Sequence, residues 1–181
     1  MKSFRHGPVL FLLTLLILSS AAGLSSQDRY ALVAPNGIAF SEVRGYEDWR
    51  VVAPSFRTDN NEVRVILANN VMIDAYRAGA PAAGGSFPEG SIIVKIGYSA
   101  LVSQSFAAAL VPGVLKRVEF IIKDSKRFPG MSGWGYARFV YDPAKAIFTP
   151  FGKDAAFSQD CYTCHTVVKD QDFIFTKYPQ R

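Results

Sequence analysis

The sequence predicts an α+β fold that is mainly β, an antiparallel sheet with flanking helices. Three stretches predict it. Residues 91–99 form a run rich in isoleucine and valine, introduced by Pro88-Glu89-Gly90. Residues 114–124 interleave β-branched and aromatic side chains with charges. Residues 134–141 carry Trp134, Tyr136, Phe139 and Tyr141 before Asp142-Pro143 ends the run. Consecutive strands joined by short turns pair most simply as neighbours in an antiparallel sheet, with helices at its ends.

The first residues read as an export signal. Lys2 and Arg5 open the chain, residues 9–18 are apolar apart from Thr14, and Ser20-Ala21-Ala22-Gly23 offers small residues for cleavage after Ala22. The apolar run is shorter than the roughly 20 residues of a membrane span, although an uncleaved anchor is the alternative reading. Residues 1–22 are therefore expected to be a signal peptide and residues 23–181 one domain, in the periplasm or outside the cell, within the roughly 100–200 residues typical of a domain. A chain of about 150 residues buries close to 70% of its unfolded surface and needs no disulfide to make a core.

Residues 27–40 form a mixed opening segment with a turn at Pro35-Asn36-Gly37. A short helix is expected over 41–49, weakened by Gly45. Residues 50–56 look extended, and Pro54 places them at a sheet edge or a strand end. After the turn Thr58-Asp59-Asn60-Asn61, residues 62–68 alternate as a strand, with Val63, Val65 and Leu67 on one face. Asn69 or Asn70 can cap a helix running through Arg77, and Gly79 can end it in the left-handed conformation. Residues 81–88 are turn-rich, 103–110 fit no single class and 125–133 form a loop. The aromatics of 134–141 change parity between Tyr136 and Phe139, which suggests a slip in that strand. Residues 153–165 can be helical, and the aromatic tail 172–178 is expected to pack back on the body.

The chemistry concentrates near the end of the chain. Cys161-Tyr162-Thr163-Cys164-His165 contains both cysteines of the sequence, and the other histidine is His6, inside the expected leader. C-x-x-C-H is the attachment signature of c-type haem, in which each thiol adds to a vinyl group and the adjacent imidazole ligates the iron. A disulfide in an oxidising compartment is the rival reading. A zinc site would need about four ligands, where the mature chain offers Cys161, Cys164 and His165. With no second histidine beyond the leader, the iron has either a methionine, Met72 or Met131, as sixth ligand or an open side. The formal net charge of +5 falls towards neutrality once the leader is lost and two haem carboxylates are added. No dense Lys/Arg run with interleaved aromatics points to nucleic acid.

Two charged residues lie in apolar strands. Lys95 shares its face with Ile93 and Gly97, while Ile92, Val94, Ile96 and Tyr98 take the other. It reads either as a solvated lysine on an outer face or as a lysine pointing into a ligand pocket, where burial favours the nucleophilic amine. Glu119 is expected to share a face with Leu115, Arg117 and Ile121. It reads either as a surface or ion-paired carboxylate or as a proton acceptor above a haem.

Several blocks in order resemble the cytochrome P-460 family, which includes the cytochromes c-prime-beta. They are Phe87-Pro88-Glu89-Gly90-Ser91-Ile92-Ile93-Val94-Lys95, Lys123-Asp124-Ser125-Lys126-Arg127-Phe128 and Gly133-Trp134-Gly135-Tyr136, followed by the haem motif and Asp172-Phe173-Ile174-Phe175-Thr176-Lys177-Tyr178-Pro179. The resemblance implies an antiparallel sheet with flanking helices, usually in a homodimer, and one haem c held through Cys161 and Cys164 with His165 on the iron and the other side open. In cytochromes P-460 proper a lysine is also bonded to the porphyrin edge, and that lysine falls on Lys95. Glu119 falls where members place a carboxylate on the following strand. The family block often continues Lys-Glu, whereas Ile96 follows Lys95 here. The implied function is hydroxylamine oxidation or nitric oxide binding, served by a redox partner cytochrome. A gas-binding haem protein without turnover and an electron-transfer cytochrome c are the alternatives.

Overall fold

The computed structural model describes residues 27–81 and 85–179; the leader expected over residues 1–22 lies outside them. Six strands follow in chain order: β1 (Arg50–Arg57), β2 (Glu62–Ala68), β3 (Ile92–Val102), β4 (Leu110–Lys123), β5 (Trp134–Asp142) and β6 (Ile147–Pro150). They form one sheet in sequence order, every neighbouring pair antiparallel. Helix α1 (Asn70–Arg77) joins β2 to β3, and helix α2 (Phe157–His165) follows β6. Among the described residues no helix is long and apolar enough to cross a membrane.

The expected turn at residues 35–37 forms, with Gly37 at φ 85° and its N–H donating to Ala34 O. Instead of one helix over 41–49 there are two short 3-10 turns, Phe40–Val43 and Tyr46–Asp48. Gly45 separates them at φ 78°, which a helix cannot absorb. β1 is an edge strand, one of the two placements expected from Pro54. α1 starts at the Asn69 cap, whose Oδ1 accepts from Met72 N at 3.1 Å and also from Ile92 N at 3.1 Å. That one side chain ties the helix start to β3. Gly79 ends the helix at φ 93°.

Because side chains alternate across a strand, the sheet has two faces. One packs the rings of Phe40, Phe120, Phe139 and Phe148 with Val94 and Val118, beneath the N-terminal segment. Phe40 lies 5.0 Å from Phe120, nearly perpendicular to it, and 4.8 Å from Phe139, separations typical of favourable aromatic pairs. The other face is apolar at one end, where Ile66, Ile93, Ile121, Trp134 and Tyr136 meet α1 and Ile174 of the tail, and charged at the other.

Four expectations change. Leu115 does not share the face of Glu119. Gly97 pairs with Arg117 and Tyr98 with Leu115, so Lys116 is an extra residue on β4 and turns Leu115 towards the aromatic core. No slip occurs in β5: its register with β4 is unbroken, Trp134, Tyr136 and Arg138 take one face and Ala137 and Phe139 the other, and both faces hold aromatics because both are covered. β6, a four-residue edge strand after Asp142-Pro143, was not expected. The unclassified 103–110 stretch is the end of a hairpin, since β3 and β4 run on past their outer neighbours as a two-stranded arm.

Candidate functional site

α2 spans nine residues and carries Cys161, Cys164 and His165 at i, i+3 and i+4, one face of a helix. Its start is fastened to β5: Ser158 Oγ donates to Tyr136 O at 3.1 Å and accepts from Asn36 Nδ2 at 2.8 Å. Both cysteines are free thiols, Cys161 half-buried and Cys164 exposed. Burial pushes the Cys161 thiol up from its ordinary value.

His165 is 8% exposed. Its ring lies 4.9 Å from that of Tyr136 and 4.9 Å from that of Phe175, edge-on to the latter. Nδ1–H donates to the Phe173 carbonyl oxygen at 2.6 Å, which fixes the tautomer and leaves Nε2 as the lone-pair nitrogen. Burial brings the imidazole pKa down to about 4, against the raising effect of that hydrogen bond. The ring is therefore neutral at neutral pH, the form that ligates a metal.

On the sheet face that α2 meets, Lys95, Glu119 and Arg138 stand side by side in register on β3, β4 and β5. Lys95 Nζ lies 3.3 Å from Glu119 Oε2, and Arg138 Nε donates to Glu119 Oε1 at 2.7 Å. Burial alone would raise the Glu119 carboxyl, but Lys95, then Arg138, Arg117 and Arg64, together hold it down at about 2. The row continues to Glu62, fully buried, which takes Arg117 at 2.6 Å and Arg64 at 3.0 Å. Gly97 makes room for it: a Cβ there would stand 2.7 Å from Glu62 Oε1.

The helix face, the charged row and the tail enclose one cavity of about 640 Å³, within the size range of cofactor pockets. Cys161, Cys164, His165, Lys95 and Glu119 all line it. So do Arg64, Arg138 and Tyr136, which the sequence did not single out; the alternation of β5 puts Tyr136 and Arg138 two residues apart on one face and was the available signal. Tyr136 Oη is buried without a hydrogen-bond partner among the described residues, and burial keeps its phenol protonated. Neither Met72, fully buried within α1, nor Met131 is among the cavity's lining residues.

The tail closes the cavity through a strained turn. Asp172 and Phe173 both have positive φ, 47° and 63°, a conformation costing non-glycine residues roughly 1–2 kcal/mol each. The turn is held by Asp172, whose buried carboxylate meets Lys123 Nζ at 3.1 Å. Tyr178 stacks on Tyr76 of α1 at 5.6 Å, so the expected aromatic tail does pack back.

Against known proteins, the family model described as Cytochrome P460 matches residues 43–176. No curated protein matches the chain. A match over most of the chain places this protein in the cytochrome P460 family, and membership implies a haem. The residues fit one: a neutral histidine with a fixed tautomer, two free thiols one helical turn apart, an aromatic and aliphatic wall, and a buried hydroxyl that needs an acceptor in the cavity.

Proposed function

Taking the chain as a member of the cytochrome P460 family, we propose that it is an exported mono-haem c-type cytochrome that oxidises hydroxylamine or binds nitric oxide, at an iron with one open side. The observation that carries this reading is the convergence of Cys161, Cys164, His165, Lys95 and Glu119 on one cavity of about 640 Å³. Cys161 and Cys164 would attach the haem, each thioether forming as the S–H adds across a vinyl C=C. His165 would ligate the iron through Nε2. Bound there, the haem would supply a redox-active iron able to take a small ligand.

The remaining work belongs to the chain. Tyr136, Phe175 and the aliphatic wall give the cavity an apolar lining beside the charged row. Glu119, held down at about 2, is ionised at neutral pH and is the proton acceptor nearest to hand, though a weak base in that state. Lys95 is the largest of the charges that hold it down. In the oxidising version Lys95 would be the residue that bonds to the macrocycle edge; joining its neutral amine to a ring C–H would release two electrons and two protons and need an oxidant of the peroxide class. That bond would remove one of the cations that hold the Glu119 carboxyl down and leave Arg138, Arg117 and Arg64.

The second reading, a ligand-binding protein without turnover, is favoured by the Lys95–Glu119 ion pair at 3.3 Å, which engages the Lys95 side chain with a carboxylate. Mass analysis of denatured haem peptides separates the two. A fragment joining Lys95 to the Cys161–Cys164 peptide supports the enzyme; a haem peptide free of Lys95, from protein that binds nitric oxide but does not consume hydroxylamine, supports the binder. Purified holoprotein without covalent haem would overturn both.

A redox partner cytochrome would accept the electrons. A homodimer is supported by the β3–β4 arm, where Leu101, Val102, Phe106 and Val114 are all more than half exposed. Light scattering of Phe106→Asp, expected to be monomeric, tests it; a parent protein that is itself monomeric would sink it.

A further inference from the structure

Lys123 and Asp172 lie outside the cavity, yet both are buried, at 5% and 7% exposure. Lys123 points from the same face of β4 as Glu119. Its Nζ lies 3.1 and 3.2 Å from the two Asp172 oxygens, donates to Ser132 O at 3.1 Å and sits 4.7 Å from the centre of the Trp134 ring. Asp172 Oδ2 also accepts from Phe87 N at 2.8 Å and Ser86 Oγ at 2.9 Å. Four donor contacts thus converge on one carboxylate at the first of the two left-handed residues. The second, Phe173, presents the carbonyl that takes His165 Nδ1–H, and stacks its ring on Tyr162 at 5.1 Å. Tyr162 in turn shares a hydrogen bond with Ser132 at 2.9 Å, so the contacts form a closed loop through the C-x-x-C-H helix.

We infer that the Lys123–Asp172 pair positions the iron ligand: it holds the 172–173 turn so that the Phe173 carbonyl stays against His165 Nδ1, and thereby sets how strongly Nε2 donates to the iron. A ligating histidine becomes a stronger donor when its other N–H is held by a good acceptor. A buried ion pair adds little stability over an apolar pair of the same volume, whereas its directed hydrogen bonds can hold two consecutive residues in a conformation they would otherwise leave. Lys123 and Asp172 act through Phe173 and touch neither the ligand nor the cavity.

This inference rests on the haem reading above. Its test is the iron–histidine stretching frequency of the reduced holoprotein by resonance Raman, with the reduction potential as second readout. Asp172→Asn and Lys123→Met should each shift the stretch to lower frequency and raise the potential, because a looser Phe173 contact weakens donation from Nε2. Lys123→Arg, which keeps the charge, should stay with the parent. Ser86→Ala removes one contact to Asp172 and should shift both readouts the same way by less. Asp172→Asn holoprotein with the parent's frequency and potential, even with a lowered melting temperature, would overturn the proposal. Where Asp172→Asn yields no holoprotein, Ser86→Ala decides, and a parent-like frequency there overturns it equally. A parent chain without covalent haem would instead sink the reading on which the inference rests.

Discussion

β4 contributes to both faces of the sheet, and its alternate residues do different work. Val118, Phe120 and Ile122 enter the aromatic core, where contacts are non-directional and any side chain of similar volume and shape would serve. Arg117, Glu119 and Lys123 enter the other face, where each needs a partner of opposite charge at hydrogen-bonding distance: Glu62, Lys95 with Arg138, and Asp172. One strand therefore carries two kinds of constraint, volume on one side and identity on the other. The identity side is where the cavity lies.

The largest expected effect is on the cavity itself. Cys161→Ala with Cys164→Ala and Lys95→Ala should abolish covalent haem, read as loss of haem-associated stain on a denaturing gel. Retained covalent haem would break the assignment of the charged face as the cofactor side. Next, Phe139→Ala on the opposite face should destabilise the protein by about 3–5 kcal/mol, the usual result of emptying a buried aromatic site. Phe139 is fully buried between Phe40 and Phe120. Denaturant unfolding measures this, and haem content should be unchanged in the folded fraction.

Glu119 sharpens the contrast through pH. Its folded-state pKa of about 2 lies below the ordinary 4.5. Its contribution, roughly 3 kcal/mol, is full above about pH 4.5 and lost as the pH falls through about 2. Glu119→Gln should flatten the stability profile between pH 5 and pH 2, whereas Phe139→Ala should lower it without changing its slope. Equal slopes in Glu119→Gln and parent would show that the carboxylate is not held by its neighbours. The smallest effect compares two glycines. A Cβ on Gly135 would run into the Phe128 ring of the aromatic core, while one on Gly97 meets the end of the Glu62 side chain. Gly135→Ala should cost about 1–3 kcal/mol and Gly97→Ala less, since a flexible side chain can shift where a packed ring cannot. The reverse order of melting temperatures would contradict this division of the faces.

Much of the fold was legible in the chain. Residues 62–68 were bounded correctly because alternation, a preceding turn and a following cap all agree there. Pro54 left a sheet edge or a strand end for β1, and the structure makes it the edge; Asn69 or Asn70 could cap α1, and Asn69 does. β6 was not legible: four residues, Ile147–Pro150, are too few for periodicity to show, and their strand character comes from pairing with β5. The bulge at Lys116 was equally hidden, because an extra residue appears only against its partner strand. At the site, Cys161, Cys164 and His165 announced themselves by spacing, and Lys95 and Glu119 by being charges in apolar strands. Tyr136 and Arg138 looked like ordinary strand residues, and Lys123 and Asp172 stood only inside the blocks of the resemblance, since burial is a property of what packs against them.

The sequence by itself determined strands β1 to β5, their alternation away from the Lys116 bulge and a C-x-x-C-H helix near the end, because these are encoded by neighbours within a few residues of one another. Only the tertiary structure decided which face the helix meets. Alternation says that Lys95 and Ile96 point opposite ways, but not which of them meets Cys161. That choice is made by contacts between residues far apart in sequence, where Asn36 and Ser158 fasten α2 to β5 and Asp172 fastens the tail to Lys123.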